Sequence, residues 1–290
     1  MRTLRILSGL VLISLVCIGL GTAQARPFVF TAIPDEDETR LQERFERVAD
    51  YLSEALDVEV RFIPVKSYAA SVTAFRNNQV QLAWFGGLSG VRARLLVPDS
   101  IALAQGAEDP FFKTYIIAHR SAGLEFSEDE PPAGLRDLTF TFGSRGSTSG
   151  RLMPEYFLRE HFGDGPDSLF RRVGYSGNHT RTIALVESGA YQAGAVNYTV
   201  WDKEVADGNV DTDAVQVVWE TPPYPDYQWT IRGDVDAQFG EGFTDRVRQA
   251  LLDMDDPELL ASFPRSGFIP ASNEDYDVIL QFGRELDLID

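Results

Sequence analysis

The chain has 290 residues, with 44 acidic against 26 basic side chains and a formal net charge of -18. That balance excludes nucleic acid and anionic lipid as partners, because both would be repelled. It does not exclude a small anion, since salt screens exposed charges beyond about 8 Å and local donors in a cleft can outweigh a distant acidic surface.

Taken from the start, Arg2 and Arg5 precede an apolar run from Ile6 to Leu20, broken only by Ser8, Gly9, Ser14 and Gly19, and then Ala23, Gln24 and Ala25. This is the pattern of a secretory signal peptide over 1–25, cleaved before Arg26 and implying a periplasmic location. The run is shorter than the ~20 residues of a spanning helix. Cys17, the single cysteine, lies inside it, so no disulfide is expected beyond it and the core must carry stability.

Phe28 to Ile33 reads as a buried strand, followed by Leu41, Phe45, Val48, Leu52 and Leu56 at helical spacing. Val58 to Ile63, Val80 to Trp84 and Ile101 to Gln105 read as further strands, with a helix over Ser67 to Arg76. Such alternation predicts a parallel sheet with helices on both faces. The acidic, proline-bearing stretch from Glu125 to Gly134 reads as a surface loop. A second α/β unit then begins with a strand at Leu138 to Phe142. It continues with helices over Ser147 to His161, His179 to Ser188 and Tyr198 to Ala206 and strands near Arg171 to Gly174 and Gln192 to Val196. Lys113 to His119 and the Val215 to Arg232 region read as paired crossings, with helical material from Glu241 onward. The expected fold class is therefore α/β, two doubly wound lobes joined by a two-strand hinge: lobe 1 over 26–118, lobe 2 over 119–218, and a return to lobe 1 over 219–290.

An internal correspondence links the lobes. Ser67 to Gly86 and Asn178 to Asn197 align without a gap, each passing from a polar residue and a ring, Tyr68 or His179, through a helix and Gln81 or Gln192 to a strand ending at Gly86 or Asn197. Ligands of doubly wound sheets sit beyond the carboxyl ends of strands and against helix starts. Tyr68, Trp84, Phe85 and Gly86 on one side, and His179 and Asn197 on the other, are therefore candidates for a shared crevice. Trp84 and Phe85 point to opposite faces of a strand, so one of them is expected to belong to the core.

The densest set of donors is Gly143 to Gly150, where Ser147, Thr148 and Ser149 lie between a predicted strand and a predicted helix. Glycines let the backbone approach a ligand, and hydroxyls with the free N–H groups of a helix start suit an oxyanion. Helix capping accounts for one serine and not for three hydroxyls. Catalytic readings of this loop fail on spacing. The residue midway between Gly146 and Gly150 is Thr148 and not the serine of a nucleophile elbow, and no lysine completes a nucleotide-binding loop. His119, His161 and His179 form no metal-ligand pattern. No catalytic residue, metal or cofactor is expected.

The segments Ser67-Tyr68-Ala69, Leu82-Ala83-Trp84-Phe85-Gly86, Gly146-Ser147-Thr148-Ser149-Gly150-Arg151-Leu152-Met153-Pro154, Ser176-Gly177-Asn178-His179 and Gly194-Ala195-Val196-Asn197 resemble the phosphonate, phosphite and selenate branch of periplasmic substrate-binding proteins of ABC transporters. In detail they look most like selenate binders of that branch. The resemblance covers essentially the whole chain after the leader. It implies a type II periplasmic binding protein that closes like a hinge, a monomer that delivers a small oxyanion or phosphonate to an ABC permease in the inner membrane. It also implies Tyr68, Ser147, Thr148, Ser149 and His179 as donors to the anion. Aminophosphonate binders carry acidic residues after the histidine and after the asparagine, whereas this chain has Thr180 and Tyr198. The expected ligand is thus a small oxyanion: selenate-like, phosphite or phosphonate. A protonated anion would also use an acceptor, for which Glu155 and Asp202 are candidates. An oxyanion sensor serving a histidine kinase is the alternative role, and an enzyme on the same fold a more distant one.

Overall fold

The computed structural model describes residues 26–289, so the expected signal peptide and Cys17 lie outside the described residues. β1 (Phe28–Ala32), α1 (Glu38–Leu56), β2 (Val60–Phe62), α2 (Tyr68–Arg76), β3 (Leu82–Phe85), α3 (Gly87–Leu96) and β4 (Ile101–Gly106) come first. β5 (Thr114–His119), β6 (Thr139–Phe142), a π-helical turn (Thr148–Leu152), α4 (Met153–Phe162), α5 (Pro166–Leu169), β7 (Arg172–Tyr175), α6 (His179–Glu187), β8 (Ala193–Asn197), α7 (Tyr198–Ala206) and β9 (Val215–Glu220) follow. β10 (Gln228–Ile231), α8 (Val235–Phe239), α9 (Phe243–Leu252), α10 (Pro257–Ser262), β11 (Phe268–Pro270) and α11 (Asp277–Glu285) complete the chain.

Two sheets result. The first, lobe 1, has the order β11-β4-β10-β3-β1-β2, and the second, lobe 2, has β7-β6-β8-β5-β9. β1 is buried along its whole length, as a strand covered on both faces must be. Asp37 caps α1 by accepting from the N–H groups of Thr39 and Arg40, and its predicted stripe of Leu41, Phe45, Val48, Leu52 and Leu56 is buried. The terminal helices pack into the core of lobe 1 through Phe243, Leu251 and Ile279.

The sheets are mixed where the periodicity predicted parallel ones. β10 runs antiparallel to β3 and β4, and β5 antiparallel to β8 and β9, because a chain arriving from the other lobe enters a sheet head-on. Two segments cross between the lobes and pair with each other, Phe112 and Tyr224 exchanging N–H···O bonds of 2.9 and 3.0 Å. Since β5 and β9 both pair in lobe 2, we place the crossings at 107–113 and 221–227, the first a few residues ahead of the expected boundary at 118.

α3 and β11 were not legible in the sequence. The sequence reading places no helix between the strands ending at Trp84 and beginning at Ile101, yet α3 forms there and needs glycine: a Cβ on Gly90 would lie 2.7 Å from Gln228 Nε2. β11 is three residues at a sheet edge, too short to show alternation.

Candidate functional site

Ser67 and Asn178 cap α2 and α6 by accepting from the N–H groups of Ala70 and Arg181. Each cap places the next ring, Tyr68 or His179, at the first helical position, buried at 2% and 0% exposure. The twin segments match further. Gln81 Oε1 accepts from Val29 N–H at 3.0 Å and Gln192 Oε1 from Thr139 N–H at 3.2 Å, so each glutamine ties its strand to the neighbouring strand start. The internal correspondence is thus a structural repeat, and it aims two helix starts at one place.

Between them sits the Gly143–Gly150 loop. Gly143 N–H donates to Gly150 O at 2.7 Å, Ser147 Oγ accepts from Gly150 N–H at 2.9 Å, and Leu152 N–H reaches back to Ser147 O. The π turn that results opens α4 and leaves Ser147, Thr148 and Ser149 all buried. Gly150 is required here: a Cβ would lie 3.0 Å from His179 Cε1 and 3.1 Å from Gly143 Cα.

The two lobes meet around this loop. Leu88 N–H donates to Thr148 Oγ1 at 3.0 Å, Ser89 Oγ to Gly146 O at 2.9 Å, His179 N–H to Asp35 O at 2.8 Å and Asn178 Nδ2 to Glu36 O at 3.3 Å. The cleft is closed. Within it four buried polar atoms have no well-formed hydrogen bond among the described residues: Tyr68 Oη, His179 Nε2, Asp35 Oδ1 and Asp226 Oδ2. Burial holds the His179 ring neutral, its pKa lowered to about 3. Its Nδ1 accepts from Asn197 N–H at 3.2 Å, so the ring proton is on Nε2 and that atom is a donor.

Two carboxylates share the cleft, and sequence reasoning missed both. Burial raises Asp226 to about 7, against hydrogen bonds from Thr148 and from Gly87 N–H at 2.9 Å. Burial raises Asp35 to about 6, Glu36 adds to the rise, and Arg44, paired with Glu36 at 2.9 Å, opposes it. Tyr227 donates to Asp35 Oδ2 at 2.7 Å. Asp35 follows β1, where the rule for strand ends points; Asp226 lies in the crossing segment behind Pro222, Pro223 and Pro225, where no periodicity signals it.

The structure sorts the other candidates. Gly86 is in the cleft, where a Cβ would lie 3.0 Å from Asp226 Oδ1 and 3.2 Å from Thr148 Oγ1. Asn197 stands one step behind it: its Oδ1 accepts from Val200 N–H and Thr199 Oγ1, and its Nδ2 donates to Tyr227 Oη at 2.9 Å. Trp84 stacks on Tyr227 and packs against Trp229, Phe263 and Phe268, and Phe85 packs on Phe75, so both lie in the core of lobe 1. Neither acceptor expected from the sequence joins the cluster. Glu155 pairs with Arg151 and Arg159, and Asp202 is exposed on α7, its carboxyl raised by partial desolvation and then by Glu220.

Comparison with known proteins bears on this geometry. Residues 30–276 match the family described as ABC transporter, phosphonate, periplasmic substrate-binding protein. The probable ABC transporter phosphite binding protein PhnD1 of Prochlorococcus marinus is 42% identical over 264 residues, covering 89% of either chain. Its structure in complex with methylphosphonate superposes with a TM-score of 0.87, over 91% of this chain and 100% of that one. The phosphonates-binding periplasmic protein of Escherichia coli is 24% identical, over 70% of this chain and 60% of that one. The alkanesulfonate-binding protein SsuA of Xanthomonas axonopodis pv. citri shares the fold, with a TM-score of 0.63 at 12% identity over 92% of this chain and 96% of that one. The two-lobed type II periplasmic binding fold expected from the sequence is the fold observed.

Proposed function

The chain belongs to the periplasmic phosphonate substrate-binding proteins of ABC transporters, and on that premise we propose that it captures a small, singly protonated phosphorus oxyanion, phosphite or methylphosphonate, and hands it to an inner-membrane permease. The observation that carries this reading is the buried cluster of donors and acids at the lobe interface. Tyr68 Oη, His179 Nε2–H and the hydroxyls of Ser147, Thr148 and Ser149 supply donors, joined by the starts of α2, α3, α6 and the π turn. The anion is held by neutral groups, and the buried arginine nearby, Arg44, is engaged with Glu36.

Asp35 and Asp226 decide which anion fits. A fully ionised selenate or sulfate brings no proton of its own, so it sets its charge against every carboxyl that is ionised and gains a shared proton only where a carboxyl is itself neutral. A protonated oxyanion donates its O–H to a carboxylate, or takes a proton from a carboxyl still holding one; either way the complex contains one shared proton and a charge-assisted hydrogen bond. The selenate-like preference drawn from the sequence therefore gives way to phosphite or a phosphonate with a small substituent. The relative's complex with methylphosphonate supports the same class.

Isothermal titration of residues 26–290, stripped of ligand by unfolding and refolding, against phosphite, methylphosphonate, phosphate, sulfate and selenate tests the reading. Tight binding of phosphite or methylphosphonate with no heat from sulfate and selenate supports it. Tighter binding of selenate or sulfate overturns it.

A further inference from the structure

Beside the Ser89–Gly146 hydrogen bond the lobes line a second cavity, of about 670 Å³ and open to solvent. Tyr68 and Gly146 wall it, while the Tyr68 hydroxyl lies in the buried cluster, so one side chain separates the two spaces. Arg92 of α3 lines it from lobe 1, Arg145 and Arg151 from lobe 2, and no aspartate or glutamate is among its lining residues. In a chain with 44 acids against 26 bases, that lining runs against the composition. Arg145 is exposed, with its guanidinium 3.6 Å from the centre of the Tyr175 ring, and Arg151 lies 5.3 Å from the same ring. Arg151 pairs with buried Glu155, which Arg159 shares; Arg145 makes no ion pair among the described residues. A guanidinium stacked by its face keeps its N–H edges available to an anion.

We infer that this cavity is an antechamber that draws the oxyanion in from solution and sets its rate of association. The inference rests on the oxyanion-capture reading. The buried cluster cannot attract the ligand over distance, because it holds Asp35 and Asp226 while Arg44 is paired with Glu36, in a molecule of net charge -18. Opening the cleft breaks the Leu88–Thr148 and Ser89–Gly146 bonds and joins the antechamber to the cluster. An anion gathered at Arg145 then has a short path to Tyr68 and Ser147, and fields of this kind raise association rates by about 10- to 1,000-fold.

Stopped-flow association of phosphite and methylphosphonate, followed by tryptophan fluorescence at low and high salt, tests this. Arg145→Gln lowers the association rate constant by about tenfold at low salt and flattens its salt dependence, with dissociation changed by less than about twofold. Arg145→Glu lowers association further, while Arg61→Gln, at the β2 edge of lobe 1, leaves it unchanged. Intact binding with an unchanged association rate in Arg145→Gln, or a change confined to dissociation, overturns the antechamber alone. Failure of the unsubstituted protein to bind either anion overturns the capture reading and the antechamber together.

Discussion

Asp226 is 1% exposed, accepts one backbone N–H, and leaves its second oxygen facing the hydroxyl loop. Such a carboxyl is costly to keep buried unless a ligand proton completes it. Asp226→Asn should therefore weaken phosphite and methylphosphonate by about 10- to 100-fold, the worth of a hydrogen bond to a charged group, and should give measurable binding of sulfate or selenate. Titration of the variant against all four anions checks both halves. The pH dependence has a definite sign. Asp226 is raised to about 7, so below that value the carboxyl or the anion supplies the shared proton at no cost. Above both that value and the anion's own last pKa the proton must be taken from solution, and affinity falls by up to about tenfold per pH unit. Asp226→Asn should flatten that slope. His179→Phe, which keeps a ring and removes the Nε2 donor, should lower affinity by about tenfold or more with native circular dichroism.

At the scale of elements, the site is built from helix starts. Capping residues fix where α2, α6 and α7 begin, and the first helical positions of α2 and α6 carry Tyr68 and His179 into the cleft. Asn197 shows how an element end reaches the site at one remove. It caps α7, its backbone N–H sets the His179 tautomer, and its side chain holds Tyr227, which in turn donates to Asp35. Asn197→Ala should cost about 1–2 kcal/mol in urea unfolding from the lost cap and also lower ligand affinity. The loop is equally specific. Gly150→Ala sets a methyl group against the His179 ring and the backbone of Gly143, and should lower affinity by about tenfold with a smaller loss of stability.

For the whole molecule, closure is held at two rims besides the site. Arg40 of α1 pairs with Glu204 of α7 across the cleft at 2.6 Å, and Tyr156 of α4 stacks on Phe282 of α11 with ring centroids 3.7 Å apart. Arg40→Ala should weaken binding by about threefold, as expected for a partly exposed pair, while small-angle scattering at saturating ligand still reports the compact form. The sequence by itself determined what depends on local pattern: the strands and amphipathic helices of both lobes, the hydroxyl loop, the twin helix starts at Tyr68 and His179, and the family. Only the tertiary structure decided what depends on strand direction and on residues distant in the chain. It turned β5 and β10 antiparallel, made a helix of a glycine-rich stretch that packs against Gln228, and moved Trp84 and Phe85 into the core. It also brought Asp35 and Asp226, 191 positions apart in number, to one cleft. An acidic residue in a loop, as Asp35 in the run Asp35 to Glu38, or in a proline-rich crossing, as Asp226, has no periodicity to betray it, and the burial against the opposite lobe that raises its proton affinity exists only once the lobes meet.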